Sequence, residues 1–193
     1  MLPILLFVLS AFPDYQQASK RYLTAKNQYI QYRTSSTRQE AVNKTLTLLL
    51  SRNKLILEYL HSLGENSLDA ELTSWEQSIK SYDTLTEVNK ASLEWENKLE
   101  RITKVANQAR LTILKNNLQV LQDNLANIGT TDKMTTGNAK LYLEKLQFSE
   151  TKRNLVVLDT NDWSYENYLS YLKESRDALS SASQILHEAT TRP

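Results

Sequence analysis

The chain has 193 residues, 40% of them hydrophobic and 23% charged, with a net charge of +1. That much apolar side chain excludes disorder as the default state, and the near-neutral balance excludes a global pull toward nucleic acid or anionic lipid. Cysteine is absent, which excludes disulfides, thiol catalysis and thiolate metal sites. There are three glycines and three prolines, the latter at positions 3, 13 and 193, so residues 14–192 contain no proline. Sheet proteins need turn residues every 8–12 positions or so; this chain lacks them and reads as all-α.

The first thirteen residues, MLPILLFVLSAFP, stand apart. Residues 2–12 hold one proline, one serine and otherwise only apolar side chains. The run is shorter than the roughly 20 residues that span a bilayer and suits the apolar centre of a secretory signal, although no basic residue precedes it. Residues 1–13 are expected to be a signal-peptide or anchor remnant.

A first helix is predicted over about 14–34. Tyr15, Ala18, Tyr22, Ala25, Tyr29 and Tyr32 recur in steps of three and four, a single stripe. Tyrosine buries its ring while its hydroxyl reaches a polar neighbour, so the stripe is expected to face the second and third helices. "RTSST" interrupts the pattern. Thr37 with Glu40 fits a capping box, placing the second helix from near 38. Its stripe runs Val42, Leu46, Leu49, Asn53, Ile56, Leu60, Leu63, and Leu48, Leu50, Leu55 and Leu57 widen it. Gly64 stands where a helix C-terminal glycine belongs. The hairpin is thus 14–64.

Residues 67–128 read as one long helix. Leu68, Leu72, Trp75, Ile79 and Tyr82 form one stripe, and Leu85, Val88, Ser92, Trp95, Leu99, Ile102, Ala106, Ala109 and Ile113 a second. The stripe moves again near 111, to Leu111, Leu114, Leu118, Leu121, Leu125 and Ile128. "SYDTLTEVNKAS" shifts the phase, so the helix is expected to kink or split near 83–90. Gly129 closes it. A second hairpin, 132–190, follows: one helix from about Asp132 to Leu158, weakened early by Gly137, then "DTNDWS" as loop and cap, then a helix from Ser164 through Leu172, Leu179, Ala182 and Leu186.

Charge is uneven. Residues 14–64 carry eight Lys or Arg against three Asp or Glu, residues 65–129 seven against ten, and residues 130–193 eight against nine. The basic first hairpin is expected to lie against the acidic middle helix. Opposed charges of this kind select register more than they stabilise.

Motifs for chemistry are scarce. His61 and His187 stand near helix ends, where the dipole favours them, and neither has ligand partners at metal spacing. Glu96 and Glu100 resemble half of a di-metal carboxylate site, but the E-x-x-H element such sites use is missing; Lys98, Arg101 and Lys104 are their expected partners. Phosphate-binding glycine loops and a nucleophile elbow are absent. Asn43-Lys44-Thr45 matches a glycosylation acceptor but lies within a helix. Trp75 and Trp95 fall on core stripes. Trp163, Tyr165 and Tyr168 gather at a loop-to-helix junction and are the expected partner contact. No catalytic, cofactor-binding or metal-binding residue is assigned.

These observations predict an all-α fold: an elongated, antiparallel, coiled-coil-like bundle of about five helices spanning 14–193. If the long helix splits, two three-helix halves form, at roughly 14–82 and 90–190. The arrangement resembles spectrin-type repeats in architecture alone, with no shared motif. The expected function is that of a non-catalytic, extracytoplasmic structural or interaction protein whose helix surfaces dock a protein partner or a second copy. Nucleic acid is disfavoured, because the cations do not form a dense run. Membrane association would run through residues 1–13. Two alternatives remain open. A carrier of an apolar or lipid-like ligand would show a cavity lined by Leu48, Leu50, Leu55 and Leu57 or by the tyrosines. An enzyme with an unfamiliar site would show converging polar groups with displaced pKa values.

Overall fold

The computed structural model describes residues 12–128, 134–158 and 164–191. Among them are six helices and no strand: α1 (Phe12–Tyr32), α2 (Ser35–Ser62), α3 (Asp69–Ile79), α4 (Leu85–Ile128), α5 (Thr136–Asn154) and α6 (Tyr165–Thr191). The fold is all-α, and its helices pack as a bundle. Residues 1–11, Gly129, Asp132 and Trp163 lie outside the described residues; Phe12 and Pro13 open α1. Proline suits a first helical turn, whose N–H groups have no partner in the helix. No described helix is long and apolar enough to cross a membrane.

The chain forms two compact units. One takes in α1, α2, α3 and α4 up to Ala106; the other takes in the rest of α4 from Asn107, with α5 and α6.

In the first unit α1 packs on α2, and α2 on α3. The tyrosine stripe faces α2 through its alanines: Ala18 and Ala25 are buried, Tyr15, Tyr22 and Tyr29 are half-buried, and Tyr32 is 61% exposed. Alanine lets two backbones approach closely, and the larger rings then ride at the rim of the seam. Val42, Leu49, Asn53 and Leu60 are buried on α2 as the spacing predicts. The core continues through Leu72, Trp75 and Ile79 of α3 to Ala91, Trp95 and Ile102 of α4.

Two helix starts differ from expectation. The expected cap at Thr37 with Glu40 is displaced by one turn: Thr34 is the N-cap, its Oγ1 accepting from the Thr37 N–H at 3.1 Å while the Thr37 hydroxyl accepts from the Thr34 N–H at 3.1 Å. Arg33 reverses the chain with a φ of 50°, so the turn is complete before Thr37 is reached. The long helix read over 67–128 is two, α3 and α4, separated by residues 80–84, a break at the start of the 83–90 stretch where a kink or split was expected. Its cause is a capping box, Thr84-x-x-Glu87. The Glu87 carboxylate accepts from the Asp83 and Thr84 N–H groups at 3.2 and 3.0 Å, and the Thr84 hydroxyl accepts from the Glu87 N–H at 3.3 Å. Gly64 terminates α2 at φ 72°, as expected of a helix-ending glycine.

The second unit is built on a seam of Leu111, Leu118 and Leu125 from α4, spaced by sevens, against Tyr142 and Leu146 of α5 and Leu172, Leu179, Ala182 and Leu186 of α6. Helix α5 runs from Thr136 rather than Asp132 to Asn154 rather than Leu158. Thr135 caps it, accepting from the Asn138 N–H at 3.3 Å. Its close pairing with α6 rests on small polar residues: the hydroxyls of Ser149 and Ser175, both fully buried, lie 2.7 Å apart.

Candidate functional site

Tyr165 and Tyr168 sit in the first turn of α6 and are half-buried against the core of the second unit. The guanidinium of Arg110 lies 5.9 Å from the Tyr165 ring centroid. The Tyr168 hydroxyl donates to the Val157 carbonyl at 2.9 Å, and its ring lies 6.4 Å from that of Tyr171. Their neighbour Trp163 lies outside the described residues.

The segment that Tyr168 touches is the exit from α5. Backbone carbonyls outside a helix have no ladder partner and need other donors, and here side chains from other helices supply them. Lys115 donates to the Val156 carbonyl at 2.7 Å and Gln108 to that of Leu158 at 2.6 Å. Together with Tyr168 they serve three consecutive carbonyls. A cleft of about 410 Å³ opens beside them, lined by Gln108, Thr112, Lys115 and Asn116 of α4 and by residues 156–158. Lys115 and Gln108 escape sequence reasoning because they contact residues more than forty positions away.

In the first unit the polar groups converge on Glu71. Lys98 donates to it at 2.7 Å and Arg101 at 2.6 Å. The Lys98 hydrogen bond is the main reason its carboxyl stands below the usual glutamate value, against a smaller opposing effect of burial. These residues, with Trp75, Glu94 and Asn97, line a cleft of about 270 Å³. Lys98 and Arg101 thus serve α3 rather than the exposed Glu96 and Glu100, which corrects the expected pairing. His61 Nε2 lies 2.8 Å from both carboxylate oxygens of Asp69, tying the end of α2 to the start of α3. His187 is exposed near the end of α6. No group of three His, Asp or Glu side chains is placed to hold a metal ion among the described residues.

Several buried polar groups belong to packing. Asn53 donates to the Leu72 carbonyl at 3.3 Å and to Glu76 at 3.0 Å. The rings of Trp75 and Trp95 lie 5.0 Å apart, tilted by 36°. Their indole N–H groups and the Asn53 Oδ1 have no hydrogen-bond partner among the described residues. Arg153, only 2% exposed, donates to Gln122 at 2.7 Å. The Tyr142 hydroxyl donates to the Leu125 carbonyl. Leu48 and Leu55 are buried, and Leu50 and Leu57 pack on the first unit's core.

One surface presents unpaired apolar groups in register. Leu141, Phe148 and Leu155, at α5 and its C-terminal end, are spaced by sevens and 41%, 45% and 46% exposed. Half-buried Lys145 and Lys152 separate them. Lys152 pairs with Glu174 at 2.7 Å and lies 5.2 Å from the Phe148 ring and 5.6 Å from that of Tyr171. Beside the row runs a cleft of about 250 Å³ lined by Lys145, Phe148, Glu174, Asp177, Ala178 and Ser181. The seven-residue spacing was the sequence signal for this row. Comparison of the chain with protein-family models, with curated proteins and with solved structures returns no match in any of the three.

Proposed function

We propose that this chain is a non-catalytic, extracytoplasmic interaction protein that docks a helix of a protein partner, or of a second copy, against its own helix surfaces. The observation that carries the reading is the row Leu141, Phe148, Leu155. Residues seven apart lie on one face of a helix, and a partner helix takes them as knobs, as in coiled coils and helix-in-groove complexes. The adjoining cleft between α5 and α6 offers Glu174 and Asp177 on one side and Lys145 on the other, charges suited to fixing a partner's register. Supporting the non-catalytic part, the polar side chains that converge are engaged with one another or with backbone groups, as Glu71 with Lys98 and Tyr168 with Val157. The extracytoplasmic part is supported by the apolar run at residues 2–12.

Size-exclusion chromatography with light scattering, and affinity capture with the full chain, test this. Replacing Leu141, Phe148 and Leu155 together by Ser removes the knobs at exposed positions. The triple variant is expected to stay helical by circular dichroism while losing self-association or the captured stoichiometric partner. A variant that assembles or captures as well as the native chain overturns the reading.

A further inference from the structure

The α1–α2 hairpin holds the largest concentration of one charge sign in the chain. Residues 12–62 contain eight Lys or Arg and three Asp or Glu, a net of +5 against +1 for the whole molecule. The hairpin packs on the acidic α3 through α2, but among the described residues no ion pair joins its Lys and Arg side chains to the acidic residues of 65–128. Among the described residues, the ion pair that engages these cations is Lys54 with Asp14, at 3.6 Å and exposed. Lys20, Lys26, Arg33 and Arg38 are exposed and in no ion pair with a described residue.

The outward face of α1 interleaves these cations with apolar groups. Leu23 is 53% exposed and Ile30, one heptad on, is 58% exposed. Lys20, Leu23, Lys26 and Ile30 follow in steps of three and four, so they share one side of the helix over about 15 Å, and Arg33 stands in the turn that follows. Tyr32, 61% exposed, stands at the turn beside Arg33. The opposite side of α1 is closed against α2 by Ala18 and Ala25.

We propose that this cationic, apolar-studded side of α1 lies along an anionic phospholipid surface. A helix with Lys and Arg flanking exposed aliphatic side chains suits the headgroup boundary, where cations meet lipid phosphates and the apolar groups dip beneath them. The charges are spread along a rod rather than gathered in a pocket, which matches a diffuse sheet of anions better than one acidic side chain. Nucleic acid fits less well, because Tyr15, Tyr22 and Tyr29 are half-buried on the side of α1 toward α2, which leaves Tyr32 alone to stack a base. The apolar sequence at residues 2–11 immediately precedes this helix, and lasting membrane attachment characteristically combines one apolar anchor with one basic patch. The surface lies in the first unit and the Leu141 row in the second, so either proposal can fail alone.

Co-sedimentation of the full chain with lipid vesicles tests this. The vesicles are pure phosphatidylcholine, or phosphatidylcholine with about one part in three phosphatidylglycerol, at low and high salt. The native chain is expected to bind the anionic vesicles more tightly, with binding weakened by salt. Each cation near such a surface multiplies partitioning by about fivefold, so K20E/K26E/R33E, which removes three cations and adds three anions, should lose at least about a hundredfold. K104E/K140E/K173E carries the same charge change elsewhere and should bind like the native chain. L23S/I30S should weaken anionic binding while circular dichroism stays helical. Equal binding to neutral vesicles, or equal loss in the two charge-reversed variants, overturns the proposal. So does a salt-sensitive self-association without lipid that K20E/K26E/R33E abolishes, which would make a second copy the occupant.

Discussion

Arg153 keeps a guanidinium where 2% of its surface meets solvent, held by Gln122 at 2.7 Å. Burial pushes its pKa down from the ordinary arginine value, and the carboxylates of Glu150 and Asp123 oppose that shift. A buried charge without its partner is costly, whereas replacing both partners by apolar groups of similar volume is often neutral. Gln122→Leu alone should therefore destabilise the chain by about 2–3 kcal/mol. Gln122→Leu with Arg153→Met should recover most of that loss. Urea denaturation of the two variants and the native chain checks this; equal stabilities of the single and double variants would show that the pair is not coupled. Ser149 and Arg153 also explain why the buried face of α5 was hard to recognise. It runs Tyr142, Leu146, Ser149, Arg153, correct helical steps in which two of four members are polar. Periodicity searches weigh apolarity, and here hydrogen bonding does the work of burial.

At the scale of elements, the caps decide where helices begin. Thr84 and Glu87 start α4 with reciprocal hydrogen bonds. Thr84→Ala should cost about 1 kcal/mol and lower the thermal midpoint of unfolding, measured by circular dichroism, while leaving the helical content of the native state nearly unchanged. Both this T-x-x-E and the one at Thr37 and Glu40 are visible in the sequence. The first is a helix start and the second is not, because Arg33 has already turned the chain and Thr34 reaches its N–H donor first. Local motifs thus identify competent caps, and the packing of Ala41 and Val42 against the hairpin core selects among them. Gly64 needed no such arbitration: a left-handed residue after a long apolar-periodic helix has few alternatives. By contrast, the tie between His61 and Asp69 joins two helices across a loop, and neither residue signals it alone.

At the scale of the whole molecule, helix type and the buried stripes followed from spacing, because residues such as Leu49, Leu60, Leu118 and Leu125 repeat without polar interruption. The surface contacts did not, since Lys98 with Glu71 and Gln108 with Leu158 depend on which helices become neighbours. Folding displaces several titrating groups in the two units. In the first, Glu65, Glu71 and Glu87 are held below the usual glutamate value chiefly by hydrogen bonds, from Ser67, Lys98 and Thr84 respectively. Burial raises Glu76, but Lys80 and Asn53 outweigh it and leave it lowered. Groups lowered by folding contribute fully above the unfolded value of about 4.3 and lose that contribution as pH falls through the folded value. In the second unit burial raises Tyr142; its contribution is complete below about 10 and is lost as pH rises through the raised value. Acid should weaken the first unit, seen by hydrogen exchange of its amides between about pH 5 and 3. Alkali should weaken the second, with Tyr142 ionising only as that unit unfolds, seen by tyrosinate absorbance. Unchanged exchange in the first unit across the acid range would contradict this.

The reversal at Arg33 and Thr34 leaves only two residues between α1 and α2. Once that bend forms, each further turn of helix brings Ala25 and then Ala18 against α2 with little additional loop to close. Assembly can therefore advance like a zipper from its closed end, and speed of folding at this end of the chain is governed by neighbours in sequence rather than by a search among distant ones.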